Sequence, residues 1–225
     1  MQKFVIIGAG GHAREVLDII EACKVAGKHY EMLGYLVDAQ YGLPGKLIND
    51  KPILGDFTWL AQHAAEVQVI CGVGDPAVRK RLVTRARLCG ARFGNIIHPS
   101  VIMTRRITLG EGIVVAAGCI LTNQIRIGNH AHINLDCTIS HDAVFEDFAT
   151  LAPGVHVSGY VTLGEGSYLG TGSNIIDRKT IGGWSVIGAG SVVIRDIPSY
   201  STAVGVPAKV IKTVIEKVLS NSNGS

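Results

Sequence analysis

Residues 101–151 run VIMTRRITLGEGIVVAAGCILTNQIRIGNHAHINLDCTISHDAVFEDFATL. Stepping by six from Met103 lands on Leu109, Val115, Leu121, Ile127, Ile133, Ile139, Phe145 and Leu151. The series continues at Val157, Leu163, Leu169, Ile175, Ile181, Ile187 and Val193. All sixteen anchors are apolar, although apolar residues make up only 47% of the chain. Against ordinary composition, such agreement arises by chance on the order of once in 10⁵. The period runs through residues 101–196 without an insertion. It is neither the 3.6-residue period of a helix nor the alternation of an isolated strand.

Two residues before nearly every anchor the chain carries a small or β-branched residue, as at Ile113, Cys119, Ala131, Cys137, Ala149, Val155, Ser167 and Ser191. Glycine follows the anchor at Gly110, Gly128, Gly164, Gly170, Gly182 and Gly188. The pattern predicts a coil with three short flat faces. Aliphatic side chains point inward on each face, and small or Gly residues turn each corner. Cys119 and Cys137 are in phase with the inward positions. With five scattered cysteines and no CxxC pair, reduced thiols are expected rather than a disulfide framework or structural zinc. A purely structural or antifreeze-like solenoid is a rival reading, but the flat Thr rows of the latter are missing.

Ahead of the repeat, Phe4-Val5-Ile6-Ile7 reads as a buried strand, followed by Gly8-Ala9-Gly10-Gly11-His12 and an amphipathic helix carrying Val16, Leu17, Ile19 and Ile20. A strand, a Gly-rich turn and a helix N-terminus form a general anion site. The third glycine of a dinucleotide fingerprint is missing, with Arg14 or Glu15 in its place, which argues against a dinucleotide cofactor. A second strand from Met32 to Val37 ends at Asp38, where an acidic residue commonly meets a ribose or base. A short helix near Trp59, a strand over Val67–Val73, and a helix from Gly74-Asp75-Pro76 to about Leu88 complete a small parallel, Rossmann-like α/β domain of three to four strands. His98-Pro99-Ser100 is the expected junction. The expected domains are 1–97 (α/β), 98–212 (solenoid) and 213–225 (a C-terminal helix or tail).

A net charge of +3 suits anionic small molecules, and no Lys/Arg run marks a nucleic-acid or membrane surface. No apolar run reaches the roughly 18 residues of a membrane helix, and Phe4–Ile7 is too short for a signal peptide.

The repeat, together with Val204-Gly205-Val206-Pro207-Ala208-Lys209 after it, resembles the hexapeptide-repeat acyltransferases, which implies a left-handed parallel β-helix of eighteen residues per coil and about five coils. With "VIIGAGGHAREV" ahead of it, the whole chain resembles the sugar acetyltransferases of the bacillosamine and perosamine pathways and the related sialic acid O-acetyltransferases. The resemblance implies an acetyl-CoA-dependent N-acetyltransferase acting on the 4-amino group of a nucleotide-linked 4-amino-4,6-dideoxy sugar for bacterial surface glycans or glycoproteins. UDP is the first choice of nucleotide, with GDP and dTDP open. It further implies a cytoplasmic homotrimer with the catalytic cleft between subunits, and no metal.

His141, two residues after the anchor Ile139, falls at a corner facing outward, with Asp142 beside it to orient the imidazole. The resemblance assigns His141 as base with Asp142 as its partner, and matches Asn134 to an active-site Asn. A second family histidine, thought to contact acetyl-CoA, is replaced here by Thr150, whose hydroxyl could still donate. For coenzyme A the resemblance points to backbone groups of Gly159 and Ala189 on successive coils, and to Lys209 near the 3′-phosphate. For the sugar nucleotide it points to Gly10, Gly11 and His12 at the diphosphate and Asp38 at the base or ribose. His130, His132 and His156 are further candidates outside the matched motif. Buried cysteines disfavour an acyl-cysteine route. The alternatives are O-acetylation of a sialic-acid-like sugar and, in another class, a non-catalytic sugar-nucleotide-binding scaffold.

Overall fold

The structure, a computed structural model, describes residues 1–214. Its first strand, β1 (Gln2–Ile7), is the buried run of the N-terminus and becomes the centre of a parallel sheet. Then come α1 (Gly11–Val25), β2 (Tyr30–Leu36), β3 (Leu47–Ile48), β4 (Lys51–Gly55), α2 (Phe57–His63), β5 (Gln68–Cys71), α3 (Pro76–Leu88) and β6 (Arg92–Phe93). The sheet order is β3-β4-β2-β1-β5-β6, with only β3 antiparallel to its neighbour. The sheet is wider than the three to four strands expected. β3 and β6 are two-residue strands, too short for any period to reveal. Helix α3 begins where its residues dictate: the Asp75 carboxylate accepts from Val78 N at 2.8 Å and Pro76 takes a first-turn position, where an N–H would be unpaired anyway.

From β7 (Ile96–Ile97) onward a two-residue strand recurs every six residues as far as Val192–Val193. Each strand pairs in parallel with the one eighteen residues later, as in Val114↔His132↔Thr150 and Ile120↔Thr138↔His156. Three sheets result, the faces of a parallel β-helix. The first face runs through Val114, His132, Thr150 and Tyr168; the second through Ile120, Thr138 and His156; the third through Arg126, Val144 and Thr162. β7 pairs with Val114–Val115, so the first rung lies N-terminal to His98. Strands Ser201–Gly205 and Ala208–Thr213 form an antiparallel hairpin that extends the first face at its far end. The expected C-terminal helix or tail lies, beyond Val214, outside the described residues.

The anchors from Val115 to Val193 are buried and form one continuous core, with Met103 and Leu109 partly buried at its open start. The corners differ from expectation. Every sixth residue from Gly112 to Gly190 has a positive φ, and eight of these fourteen corners are non-glycine, among them His130, Asp142 and Tyr160. Such a conformation costs about 1 kcal/mol or more for a non-glycine residue. It is held by a recurrent inter-coil bond: Asp142 N donates to Asn123 O at 3.1 Å, and Tyr160 N to His141 O at 3.0 Å. The glycines that follow the anchors are not corner residues. A Cβ on Gly128 would lie 2.7 Å from Asp147 N, so that glycine is required by the approach of the next coil.

The α/β domain lies on the first face. Val114 and Ala116 pack beneath Ile19 and Ile20 of α1, while His130 stacks on Phe148 and meets Phe93 edge-on. The centre of this contact is Arg79, whose side chain is 0% exposed. It donates to the carbonyls of Val73 and Gly74 on its own domain, and to those of His130 and Phe148 and the Thr150 hydroxyl on the solenoid, at 2.6–3.0 Å. No carboxylate accompanies it among these partners. Burial lowers its pKa to about 10, still charged at neutral pH. Replacing Arg79 by Met strands four carbonyls in a dry contact, so urea unfolding should show a loss of about 3 kcal/mol or more. A loss below about 1 kcal/mol would mean that water takes over these bonds.

Candidate active site

The corner between the second and third faces carries His141 and Asp142. Asp142 takes the positive-φ position (φ 59), which brings its carboxylate back to the preceding ring. His141 Nδ1 lies 2.9 Å from Asp142 Oδ2. A carboxylate only accepts, so Nδ1 carries the proton in the neutral ring and the Nε2 lone pair is free. The His141 side chain is 55% exposed. Directly above it, a Cβ on Gly159 would sit 2.7 Å from Cε1 and 2.9 Å from Nε2, so that glycine gives the imidazole its room. Tyr160 stands edge-on to the ring at 5.3 Å between centroids, and Arg178 on the next coil covers Tyr160 at 4.4 Å. An imidazole oriented by a carboxylate, with one nitrogen open, is a competent general base.

Asn134 is not at this corner. It lies at the edge between the first and second faces, in the wall of a cleft of about 640 Å³ under the α/β domain, with His12, Asp75, His132, Thr150, Tyr168 and Trp184. Thr150 does not fit the role expected of it. It is 5% exposed, and its hydroxyl accepts from Arg79 at 2.6 Å and donates to Phe148 O at 3.2 Å. Ala189 is exposed on the same edge as Asn134, farther along the solenoid, and Lys209 is exposed on the terminal hairpin beyond it. Gly159 and Ala189 therefore sit on different edges of the chain. The sequence candidates divide into two groups: His141, Asp142 and Gly159 on one edge, and Asn134, Ala189, Lys209 and the N-terminal turn on or beside the other.

A second cleft, of about 730 Å³, opens in the α/β domain between Gly8, Gly10, Asp38, Phe57, Arg81 and Arg85. Asp38 is not a free carboxylate. Arg85 grips both its oxygens at 2.9 Å, holds its pKa below the ordinary value, and lies over the Phe57 ring at 4.0 Å. The N-terminus of α1 stands between the clefts: Gly10 lines the second cleft and His12 the first. No side chain caps this helix, so its leading N–H groups remain available to an anion.

Cys119 and Cys137 are 0% exposed, with Sγ turned to the carbonyls of Asn134 and Ala152. Among the described residues no group of three or more His, Cys, Asp or Glu side chains is placed to hold a metal ion, and no helix is long and apolar enough to cross a membrane. Sequence reasoning missed Arg79, Arg85 and Tyr160. Tyr160 was legible in principle, standing eighteen residues after Asp142. The two arginines carry no such signal, because on α3 they read as ordinary surface charges.

A family model described as the PglD N-terminal domain matches residues 3–86. UDP-N-acetylbacillosamine N-acetyltransferase of Bacillus subtilis (strain 168) is 35% identical over 119 residues, 52% of this chain and 52% of that protein, so the match spans about half the length of that relative. Perosamine N-acetyltransferase from Caulobacter crescentus was solved as a single-histidine mutant in complex with CoA and GDP-perosamine. It is 32% identical, with 93% of this chain and 97% of that one covered at a TM-score of 0.85. The acetyltransferase domain of PglB from Neisseria gonorrhoeae FA1090, in complex with acetyl coenzyme A, is 29% identical over 93% of this chain and 99% of that one, also at 0.85.

The histidines beneath the α/β domain leave a thermodynamic signature. Burial, then the Arg87 and Arg79 guanidinium groups, lower His130 to about pKa 4, with Asp147 opposing weakly. Burial likewise holds His132 well below the ordinary value and lowers His12, which Glu15 partly offsets. The unfolded chain therefore binds protons first as pH falls below roughly 6.5, and each such histidine removes up to about 1.4 kcal/mol of stability per pH unit until its folded form titrates. Denaturation midpoints should be highest above about pH 7 and fall through pH 5.5, and His130→Phe should flatten that slope.

Proposed function

Because the chain belongs to the hexapeptide-repeat family of nucleotide-sugar N-acetyltransferases, we propose that it transfers the acetyl group of acetyl-CoA to the 4-amine of a nucleotide-linked 4-amino-4,6-dideoxy sugar. One observation carries the reading: His141 is held by Asp142 with Nε2 open, in a space that Gly159 keeps clear. Residues 1–97 would bind the nucleotide sugar and residues 98–212 would perform the transfer. The nucleotide would occupy the cleft beside Arg85, with the diphosphate against the leading N–H groups of α1 and the sugar extending past His12 toward Asn134. Asp38 would act through Arg85, fixing its guanidinium, rather than reading a ribose directly. The diphosphate charge shared by any UDP, GDP or dTDP sugar suits this arrangement equally, so the base is the open variable.

Acetyl-CoA supplies an activated thioester carbonyl. As the sugar nitrogen bonds to that carbon, His141 Nε2 takes the amine proton and Asp142 stabilises the imidazolium. Backbone N–H groups near Gly159 would meet the charge on the carbonyl oxygen, and the proton on His141 leaves with the thiol. Within one chain, His141 and the Asn134–His12 cleft lie on different edges. That separation supports a homotrimer in which the cleft of one subunit faces the His141 edge of the next, with Ala189 and Lys209 along the coenzyme path. The five free cysteines and the use of acetyl-CoA suit the cytoplasm. Nothing at the site favours the O-acetylating reading.

Thiol release from acetyl-CoA, followed across UDP-, GDP- and dTDP-linked 4-amino sugars, tests the activity and identifies the base. His141→Asn should lower kcat by roughly 10²–10⁴. Gly159→Ala should lower it at least tenfold while moving Tm little, because the displaced ring is exposed. An unchanged kcat/KM in His141→Asn would remove its role as base.

A further inference from the structure

His132 lies on the first face of the solenoid, in register with Thr150 one coil above, and its ring forms part of the cleft wall beside His12 and Asn134. The transfer chemistry makes no use of it. It is 2% exposed, and its Nδ1 is 3.0 Å from His12 Nε2. His12 Nδ1 in turn is 3.1 Å from Glu15 Oε2. These three groups fix one another. The Glu15 carboxylate only accepts, so His12 Nδ1 donates and His12 Nε2 offers a lone pair. The bond to that lone pair requires the proton of His132 on Nδ1. A neutral imidazole has a single N–H, and His132 Nε2 is therefore an acceptor.

That acceptor is buried and has no partner in the protein. Burial first, then the nearby Arg79 guanidinium, keep the ring neutral. Two other polar side chains of the wall are already engaged: Asp75 caps α3, and Thr150 is bonded to Arg79. An unmet buried acceptor costs about 1–3 kcal/mol and is uncommon in native interiors. Among the unpartnered buried atoms of the described residues, that of His132 belongs to a ring in the wall of this cleft.

We propose that His132 is a specificity-determining residue of the acceptor site, its Nε2 accepting a hydrogen bond from a hydroxyl of the sugar ring, with Glu15 and His12 fixing the tautomer that makes this possible. The inference rests on the reading that this cleft receives the sugar of a nucleotide sugar. His132 then reads the sugar, whereas the Arg85 cleft reads the nucleotide. No proton is transferred and no bond is made or broken at His132.

Calorimetric titration of the full-length protein separates the two. The probes are UDP and GDP, and the UDP- and GDP-linked 4-amino-4,6-dideoxy sugars. His132→Leu should bind the bare nucleotide as the unmodified protein does, and the sugar-linked form about tenfold more weakly, the loss of one hydrogen bond to a buried group. His132→Gln, whose amide reaches the Nε2 position, should recover most of that loss, and KM for acetyl-CoA should stay unchanged in both. Equal binding of the sugar-linked form by His132→Leu, or an equal loss for bare nucleotide and sugar nucleotide, would overturn the proposal. If the unmodified protein binds bare nucleotide and sugar nucleotide with the same affinity, the assignment of the cleft to the sugar fails, and the inference with it. Imidazole ¹⁵N spectra of the unmodified protein add a check that needs no variant. His132 should show a protonated Nδ1 and an unprotonated Nε2, and the opposite tautomer would rule the proposal out.

Discussion

Each coil of the solenoid hands its backbone N–H groups to the carbonyls of a neighbouring coil, and that ladder tolerates no slip. Ile120 N meets Cys137 O, Thr138 N meets Val155 O, and His156 N meets Ser173 O, each at 2.9–3.1 Å. Because the spacing never varies, a residue's outward direction is settled by its place in the six-residue count. The same ladder holds non-glycine residues in left-handed corners that they would otherwise avoid. Asp142 is one of these, and without that corner its carboxylate would not turn back to His141. The His141–Asp142 geometry is thus a by-product of the rule that closes the coil.

The α/β domain depends on the same regularity in a different way. It covers the first face, where outward positions would otherwise be wet, and so turns His130, His132 and Thr150 into interior groups. Arg79 makes this burial tolerable by giving hydrogen atoms to carbonyls of both parts. Two environments follow from one scaffold. On the covered face, His132 is neutral and locked through His12 to Glu15; on the open edge, His141 keeps a solvent-facing nitrogen. The proposed division, with the base in the open and the recognition groups in the dry cleft, suits a reaction whose second substrate must reach the base from outside.

How much of this was readable from the residues depended on whether a regular count was involved. The anchors, the buried cysteines and the pairing of His141 with Asp142 all follow from the period. The widths of the strands in the α/β domain do not, since Leu47–Ile48 and Arg92–Phe93 are held by neighbours rather than by their own pattern. The glycines after the anchors looked like corner residues because both uses favour glycine, and only the distance to the next coil tells them apart. Thr150 looked available because its hydroxyl is a donor by type. Its commitment to Arg79 is a contact across 71 residues that no local reading contains. Asp38 does line a cleft of the α/β domain, but its salt link to Arg85 required α3 to fold alongside β2.

The clearance that Gly159 leaves above His141 has an evolutionary side. The two positions are eighteen residues apart in the chain and in contact in space, so the size permitted at one is set by the occupant of the other. Selection therefore acts on columns of the solenoid rather than on positions. A bulky residue can enter a corner only after the residue one coil away has shrunk, and a ring such as that of His141 constrains its column in both directions. In a fold of this kind, substitutions should be inherited in vertical pairs, and the order in which the pair changes decides which new side chains the active edge can acquire.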